Sequence, residues 1–402
     1  MLLAYVLRRL IKAGQLTLID AKGRVHRFGV SGAKPAATMR LHDPALHRRL
    51  VFAADLALGE AWMDGTLSVE DGTLHDLLTV LSLNLDTAPL MPWEALSAKF
   101  APVLRRVQQY NPLPRARANV AHHYDLSDRL YELFLDADRQ YSCAYFMHPD
   151  DTLEQAQANK KRHIAAKLRI EPGMRVLDIG SGWGGLAIYL ASTCGVDVTG
   201  LTLSTEQHGK ATARAREAGV QDRVRFHLRD YREETGEYDR IVSVGMFEHV
   251  GVNHFAAFFA KLKQLLTPAG VALLHAIGRM DGPGTTNAWA RKYIFPGGYA
   301  PALSEVLPVI ERTGLWATDI EILRLHYAET LRHWHERFQA HRGEIAGIYD
   351  ERFCRMWEFY LQGAEMDFRY LRTMVFQIQL TRSIDAVPIT RDYMVEWERA
   401  HL

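Results

Sequence analysis

The chain has 402 residues, 48% of them hydrophobic and 24% charged, with a formal net charge of +1 at pH 7. That is the make-up of a globular protein of two domains, or of one large domain with an appendage, and it gives no global attraction for nucleic acid. Cys143, Cys194 and Cys354 stand far apart without a Cys-x-x-Cys pair, so no metal site or disulfide framework is expected and a reducing cytoplasm is the simplest setting.

Residues 1–83 read as a small basic α+β domain. Leu2, Leu3, Val6, Leu7, Leu10 and Ile11 fall at helical spacing with Arg8, Arg9 and Lys12 between them, an amphipathic helix with a basic face. It is too short to span a bilayer, shows no clear cleavage site, and reads equally well as a surface helix packed on its own domain. Through Arg49 ten basic residues face only Asp20 and Asp43, a local excess that favours an anionic partner such as a phosphate-bearing surface. Gln15 to Ile19 and Arg24 to Phe28 suggest a hairpin, and Leu56 to Met63 and Leu74 to Leu83 suggest helices. Residues 84–120, with Pro89, Pro92, Pro102, Pro112 and Pro114, read as a partly helical linker.

Residues 121–402 have a different texture. A helix running through Phe134, capped by Asp128 or Ser127, an aromatic turn Gln140-Tyr-Ser-Cys-Ala-Tyr-Phe146 and a polar helix from Thr152 to Leu168 lead into a βαβ rhythm. Strands are expected at Val176 to Ile179, Asp197 to Leu203, Val224 to Leu228, Arg240 to Gly245 and Val271 to Ile277. The helices between them are Gly184 to Ser192, Thr205 to Ala218 and His254 to Leu266. This is the pattern of a doubly wound α/β sheet, whose ligands gather at the carboxyl ends of its strands. A Gly/Pro-rich loop from Asp281 to Pro301, a helix from Ser304, a strand at Ile320 to Leu325, a long helical region from Glu329 to Tyr370 and a strand at Met374 to Leu380 complete the chain.

The turn after the first of these strands, Asp178-Ile-Gly-Ser-Gly-Trp-Gly-Gly185, organises the rest. Its glycines permit positive φ and close approach of a ligand to the backbone. The spacing is not the Gly-x-Gly-x-x-Gly dinucleotide fingerprint and suits S-adenosylmethionine better, although a tight turn without a ligand fits the turn alone. At the second strand tip Thr202 and Gln207 can bind hydroxyls where many methyltransferases place a carboxylate. Asp230 and Tyr231 follow the third strand, near the adenine position. Glu248 and His275, after the fourth strand and on the neighbouring fifth, should emerge beside the cofactor's methyl group.

His123-Tyr-Asp-Leu-Ser, Tyr141-Ser-Cys-Ala-Tyr-Phe, Leu177-Asp-Ile-Gly-Ser-Gly-Trp-Gly-Gly, Gly200-Leu-Thr-Leu-Ser, Phe247-Glu-His-Val-Gly, His275-Ala-Ile-Gly and His326-Tyr run in one order from about residue 122 to 380. In that order they resemble the cyclopropane-fatty-acyl-phospholipid synthases and the related mycolic acid cyclopropane synthases. The basic N-terminal domain resembles that of the phospholipid-acting branch. The resemblance implies a seven-stranded class I S-adenosylmethionine methyltransferase fold. It also implies transfer of a methylene unit from S-adenosylmethionine to a cis double bond of an unsaturated phospholipid, through a carbocation deprotonated by bound bicarbonate. The bicarbonate positions are Cys143, Glu248, His275, Ile277 through its backbone, and Tyr327. Cofactor contacts carry over to Tyr141, Ser142, Gly180, Gly182, Thr202, Gln207 and Tyr231, where many relatives have Trp; Asp178, Trp183, Gly184, Leu203 and Asp230 complete that set. Glu248 beside a bicarbonate repels it unless a proton is shared, and Cys143 reads as lining rather than nucleophile. Tyr141, Tyr145, Phe146, Phe247, Tyr293 and Tyr327 are candidate π faces for the cation, with Tyr327 and Tyr141 foremost. The segment Trp289 to Tyr299 is a candidate border for the acyl chain's entrance.

The expected setting is cytoplasmic, at the inner face of a membrane, and a homodimer is left open. Rival readings keep the cofactor but give a methyl-branched or methylene product, methylate a small nitrogen or oxygen nucleophile, or leave a catalytically silent lipid-binding protein.

Overall fold

The computed structural model describes residues 2–85 and 126–401, which form two compact units. The expected linker from residue 86 onward, and the His123-Tyr-Asp part of the first motif, lie outside the described residues.

The first unit holds residues 2–85, 285–296 and 328–373. Its four strands, β1 (Gln15–Ile19), β2 (Val25–Gly29), β3 (Ala36–Leu41) and β4 (Leu67–Asp71), lie in the order β2-β1-β3-β4. The hairpin of β1 and β2 is antiparallel, as the sequence suggested, while β3 runs parallel to β1. Alternation on β3 buries Ala37, Met39 and Leu41 with Leu16, Leu18 and Phe28, and the Leu2–Leu10 helix adds Leu3, Ala4 and Leu7. That helix leaves Leu2, Tyr5, Arg8 and Arg9 exposed.

Two segments expected to be catalytic belong to this unit. The Glu351–Tyr370 helix packs on the Ala54–Met63 and Leu74–Leu85 helices. Trp289, on a short Ala288–Tyr293 helix within the stretch read as a loop, is buried beside Gly59, where a Cβ would meet its indole at 2.4 Å. The long helical region is broken into His326–Ala340, Arg342–Ile348 and Glu351–Tyr370, the last begun by Asp350, whose side chain accepts from the Phe353 N–H.

The second unit holds residues 126–284, 297–327 and 374–401. Its seven strands are β5 (Arg175–Ile179), β6 (Asp197–Thr202), β7 (Val224–Leu228), β8 (Tyr238–Val244), β9 (Leu266–Arg279), β10 (Trp316–Ile322) and β11 (Thr373–Thr381, its first residue assigned to the other unit). They lie in the order β10-β11-β9-β8-β5-β6-β7. β5 to β9 pair in parallel, and β10 pairs antiparallel with β11. Both faces are covered, which explains why the parallel strands read as nearly continuous apolar runs. One face packs the Phe255–Leu265 and Leu303–Thr313 helices through Phe255, Phe258, Leu262, Val306 and Ile310. The other packs the Leu153–Leu168, Gly185–Cys194 and Thr205–Glu217 helices through Ile164, Leu186, Leu190 and Ala211.

The chain leaves β5 to one side for β6 and β7, then returns to its other side for β8 and β9. The carboxyl end of β5 is therefore the switch point where such sheets hold their ligands.

Candidate active site

The turn after β5 is held by the N–H groups of Gly180 and Ser181, which both donate to the Leu201 carbonyl on β6 (3.0 and 2.8 Å). Gly180 has φ +89°, and a Cβ there would lie 2.9 Å from Met246. Gly182 has φ +55°, and a Cβ there would meet no protein atom within 4 Å. Both lie in the left-handed region that side chains avoid, and the second borders the open cleft.

A cavity of about 170 Å³ opens at this turn. It gathers Tyr141, Ser142, Asp178, Gly180, Gly182, Trp183, Thr202, Leu203, Gln207, Asp230 and Tyr231 from the segment before β5 and from the ends of β5, β6 and β7. Of the expected cofactor contacts only Gly184 is not at its wall; its Cβ position points at Phe226 and Ala211. The hydroxyl of Thr202 donates to Gln207 Oε1 (2.9 Å), and Ser204 caps the following helix by accepting from the Gln207 N–H. Asp230 accepts two hydrogen bonds from the Arg232 guanidinium (both 2.8 Å), whose cation lies 5.7 Å from the Tyr231 ring centre. Tyr231 meets Phe258 edge-on, and burial drives its phenol pKa well up. Tyr141 and Trp183 both pack on Tyr131.

Residues that sequence reasoning missed also line the cavity, among them Arg139, Gln140, Lys160, Met246 and His249. Lys160 sits on the helix read as polar. That helix buries Gln157, Lys160, His163 and Lys167, whose spacing of three or four residues is the one available signal. Burial lowers the Lys160 ammonium to about 8 and raises the Asp178 carboxyl to about 7.

The five expected anion-binding residues lie in the same unit but are not in the cavity wall. Val244 on β8 is paired with His275 on β9, and the Gly245 N–H donates to the His275 carbonyl (3.0 Å). Glu248 follows in a 3-10 turn, and its Oε1 accepts from the Ile277 N–H at 2.6 Å. Among the described residues the buried Oε2 has no hydrogen-bond partner. Burial, opposed in part by that backbone donor, raises the Glu248 carboxyl to about 7. Burial, then the charges of Lys160 and Lys167, hold His275 down to about 3, so its ring is neutral. Its Nδ1 lies 3.1 Å from Gln377 Nε2; an amide donates there, which leaves the ring proton on Nε2. Cys143 is buried with its Sγ 3.3 Å from the Ala144 carbonyl. Tyr327 is buried beside His326, which accepts from the Phe146 N–H (3.1 Å) and stacks on Tyr145.

The other candidate π faces divide. Phe247 stacks on Phe255 in the core, and Tyr293 belongs to the first unit, where its hydroxyl donates to Glu60 (3.0 Å).

The sheet order and the ligand turn after β5 define a class I S-adenosylmethionine-dependent methyltransferase, and the chain is an enzyme of that class. Residues 112–378 match the family described as mycolic acid cyclopropane synthetase, and the chain belongs to that family. Cyclopropane-fatty-acyl-phospholipid synthase of Escherichia coli is 37% identical over 362 residues, 89% of this chain and 91% of that protein. Tuberculostearic acid methyltransferase UfaA1 of Mycobacterium tuberculosis is 38% identical over 362 residues, 86% of this chain and 84% of the relative. The solved structure of mycolic acid cyclopropane synthase CmaA1 complexed with SAH and CTAB is 34% identical, with a TM-score of 0.63, and covers 67% of this chain and 98% of that one. The family is the one its motifs resemble.

Proposed function

We propose that the enzyme converts a cis double bond of an unsaturated phospholipid acyl chain into a cyclopropane ring, with bicarbonate bound as the base. The observation that carries this reading is the buried Glu248, whose carboxyl keeps its proton to about pH 7, together with the buried neutral His275, where β8 and β9 lie side by side.

The cavity residues fit S-adenosylmethionine, since Gly182 leaves room against the backbone and Asp178 offers a carboxylate to a cationic ligand. When bound, that cofactor supplies an activated methyl group. The glycine turn and the wall from Tyr141 to Tyr231 hold it in one orientation, which an olefin, a weak neutral nucleophile, requires. The half-buried ring of Tyr141 and the buried ring of Tyr327 stabilise positive charge that develops on the chain.

For the small anion, the fit rests on three groups. His275 offers Nε2–H, Glu248 offers Oε2, which has no hydrogen-bond partner among the described residues, and the buried Tyr327 is the expected third member. Ile277 serves through its N–H, which fixes the other oxygen of Glu248. We read the buried Cys143 as lining for this anion, with no covalent step.

The substrate class follows from the E. coli relative, whose name specifies a fatty-acyl phospholipid and which this chain matches over nearly its whole length. Exposed Arg8, Arg9 and Lys12 favour an anionic bilayer, each basic group contributing about 1 kcal/mol. No described helix is long and apolar enough to cross a membrane. We place the enzyme in the cytoplasm against the inner membrane face.

The near-equal identity to a tuberculostearic acid methyltransferase favours one alternative, in which the same cation loses a different proton and leaves a methylene group or a methyl branch beside a retained double bond. Purified enzyme incubated with labelled S-adenosylmethionine and unsaturated phospholipid vesicles separates the two. A cyclopropane product gains one methylene and takes up no hydrogen on mild catalytic hydrogenation. A methylene-bearing product takes up hydrogen, and a methyl branch shows as a new methyl resonance. Either of those results refutes ring formation.

A further inference from the structure

Two buried, oppositely charged groups face the cofactor cavity without pairing to each other. Lys160 is 1% exposed, and its ammonium donates to two neutral acceptors, Gln140 Oε1 (2.8 Å) and Ser142 Oγ (2.7 Å). Among the described residues no carboxylate stands within ion-pair distance of it, so one of its three N–H groups is unspent. Asp178 is 2% exposed, lines the same cavity, and its carboxylate accepts no hydrogen bond from a described residue. A lone ammonium and a lone carboxylate are each costly to bury. The two sense each other's charge, since Lys160 is what opposes the effect of burial on Asp178.

A ligand that carries both charges on neighbouring atoms would satisfy both groups. The α-amino-acid end of S-adenosylmethionine is such a ligand, with a carboxylate and an ammonium on one carbon. We propose that Lys160 binds the α-carboxylate of the cofactor, opposite Asp178 at the α-ammonium, and so sets which way the amino-acid tail lies in the cavity. The inference rests on the cofactor reading above and names the residue that reads the tail. Gln157 supports the arrangement: its amide donates to the Ser142 and Gln140 carbonyls (3.0 and 3.3 Å), which fixes the two acceptors that hold Lys160.

The test is calorimetric binding at pH 7 to the full chain, with S-adenosylhomocysteine and its decarboxylated analogue as probes. The wild type should bind the carboxylate-bearing compound about 10- to 100-fold tighter, the worth of a charge-assisted hydrogen bond in a dry site. Lys160→Met should bring S-adenosylhomocysteine down to the level of the analogue and leave the analogue's affinity within about twofold. Lys160→Arg should recover part of the discrimination. Equal binding of both compounds by the wild type overturns the inference whether or not the variants fold, as does an equal loss for both compounds in Lys160→Met. Absence of any S-adenosylhomocysteine binding to the wild type removes the cofactor reading itself, and this inference with it.

Discussion

Glu248→Gln should make the protein more stable at alkaline pH while it destroys turnover. The Glu248 carboxyl is buried, one oxygen bonded to the Ile277 N–H and the other without a partner among the described residues, and it keeps its proton to about pH 7 against an ordinary value of 4.5. Between those two pH values the folded chain binds a proton that the unfolded chain has released. Stability therefore falls as pH rises through that window, by about 1.4 kcal/mol per pH unit and about 3 kcal/mol in all. A glutamine amide has nearly the shape of the protonated carboxyl, can still accept from Ile277, and never ionises. Urea unfolding of the two proteins at pH 5 and pH 8 measures the effect. The variant should gain on the wild type by up to about 3 kcal/mol between the two conditions, while turnover drops by about 100-fold or more. A stability difference that stays constant to within about 1 kcal/mol would show that the carboxyl is not held neutral by burial, and the electrostatic reasoning would fail with it.

Three further perturbations test other parts of the site. Gln377→Leu removes the amide that fixes the His275 ring proton on Nε2; turnover should fall about 10- to 100-fold with S-adenosylhomocysteine affinity unchanged, as read by kinetics and calorimetry. Gly180→Ala forces a side chain onto a backbone at φ +89° and within 2.9 Å of Met246, so cofactor affinity should drop at least about tenfold by calorimetry. His163 is held between Glu321 and Glu398; burial opposes its charge, but these partners prevail and raise its pKa above 6.5. Its contribution to stability is full below pH 6.5 and lost as pH rises through the elevated value, and His163→Gln should flatten that part of a pH-resolved melting curve.

The parallel half of the sheet was legible because its strands, buried on both faces, are short apolar runs set off by turn residues. Val176 to Ile179 and Val224 to Leu228 are found within a residue of their expected bounds. The cavity wall followed from the rule that ligands meet the carboxyl ends of such strands, and eleven of the twelve expected cofactor contacts border it. Less visible were elements with little apolar content. β4 has only Leu67 and Val69 between two Asp-Gly turns, and the Asn287 side chain starts a helix inside a Gly/Pro-rich stretch. The allegiance of residues 328–373 was hidden for another reason. Periodicity says which face of a helix is apolar, not which neighbour covers it, so Phe359 and Met366 gave no hint that they pack with Leu74 and Leu78. Lys160 was hidden because charge in a sequence signals exposure; only the regular recurrence of Gln157, Lys160, His163 and Lys167 betrays a buried polar stripe.

The electrostatics also answer the objection that Glu248 would repel a bicarbonate beside it. An ionised carboxylate would repel the anion, but near neutral pH a large share of Glu248 carries its proton, and Oε2–H then becomes a donor rather than a rival acceptor. His275, neutral down to about pH 3, presents Nε2–H without adding a fixed positive charge that would oppose a cation on the acyl chain. A bound anion raises the Glu248 pKa further, so in the proposed reaction bicarbonate affinity is coupled to retention of that proton. The half-saturating bicarbonate concentration should rise as pH climbs above about 7, approaching tenfold per pH unit, because the free enzyme must take up a proton to bind. Turnover measured against added bicarbonate in carbonate-depleted buffer at pH 6.5, 7.5 and 8.5 reads this directly, and Glu248→Gln, if any residual activity allows measurement, should show a half-saturation that no longer moves with pH. Turnover indifferent to bicarbonate at every pH would refute bicarbonate as the base and the coupling with it.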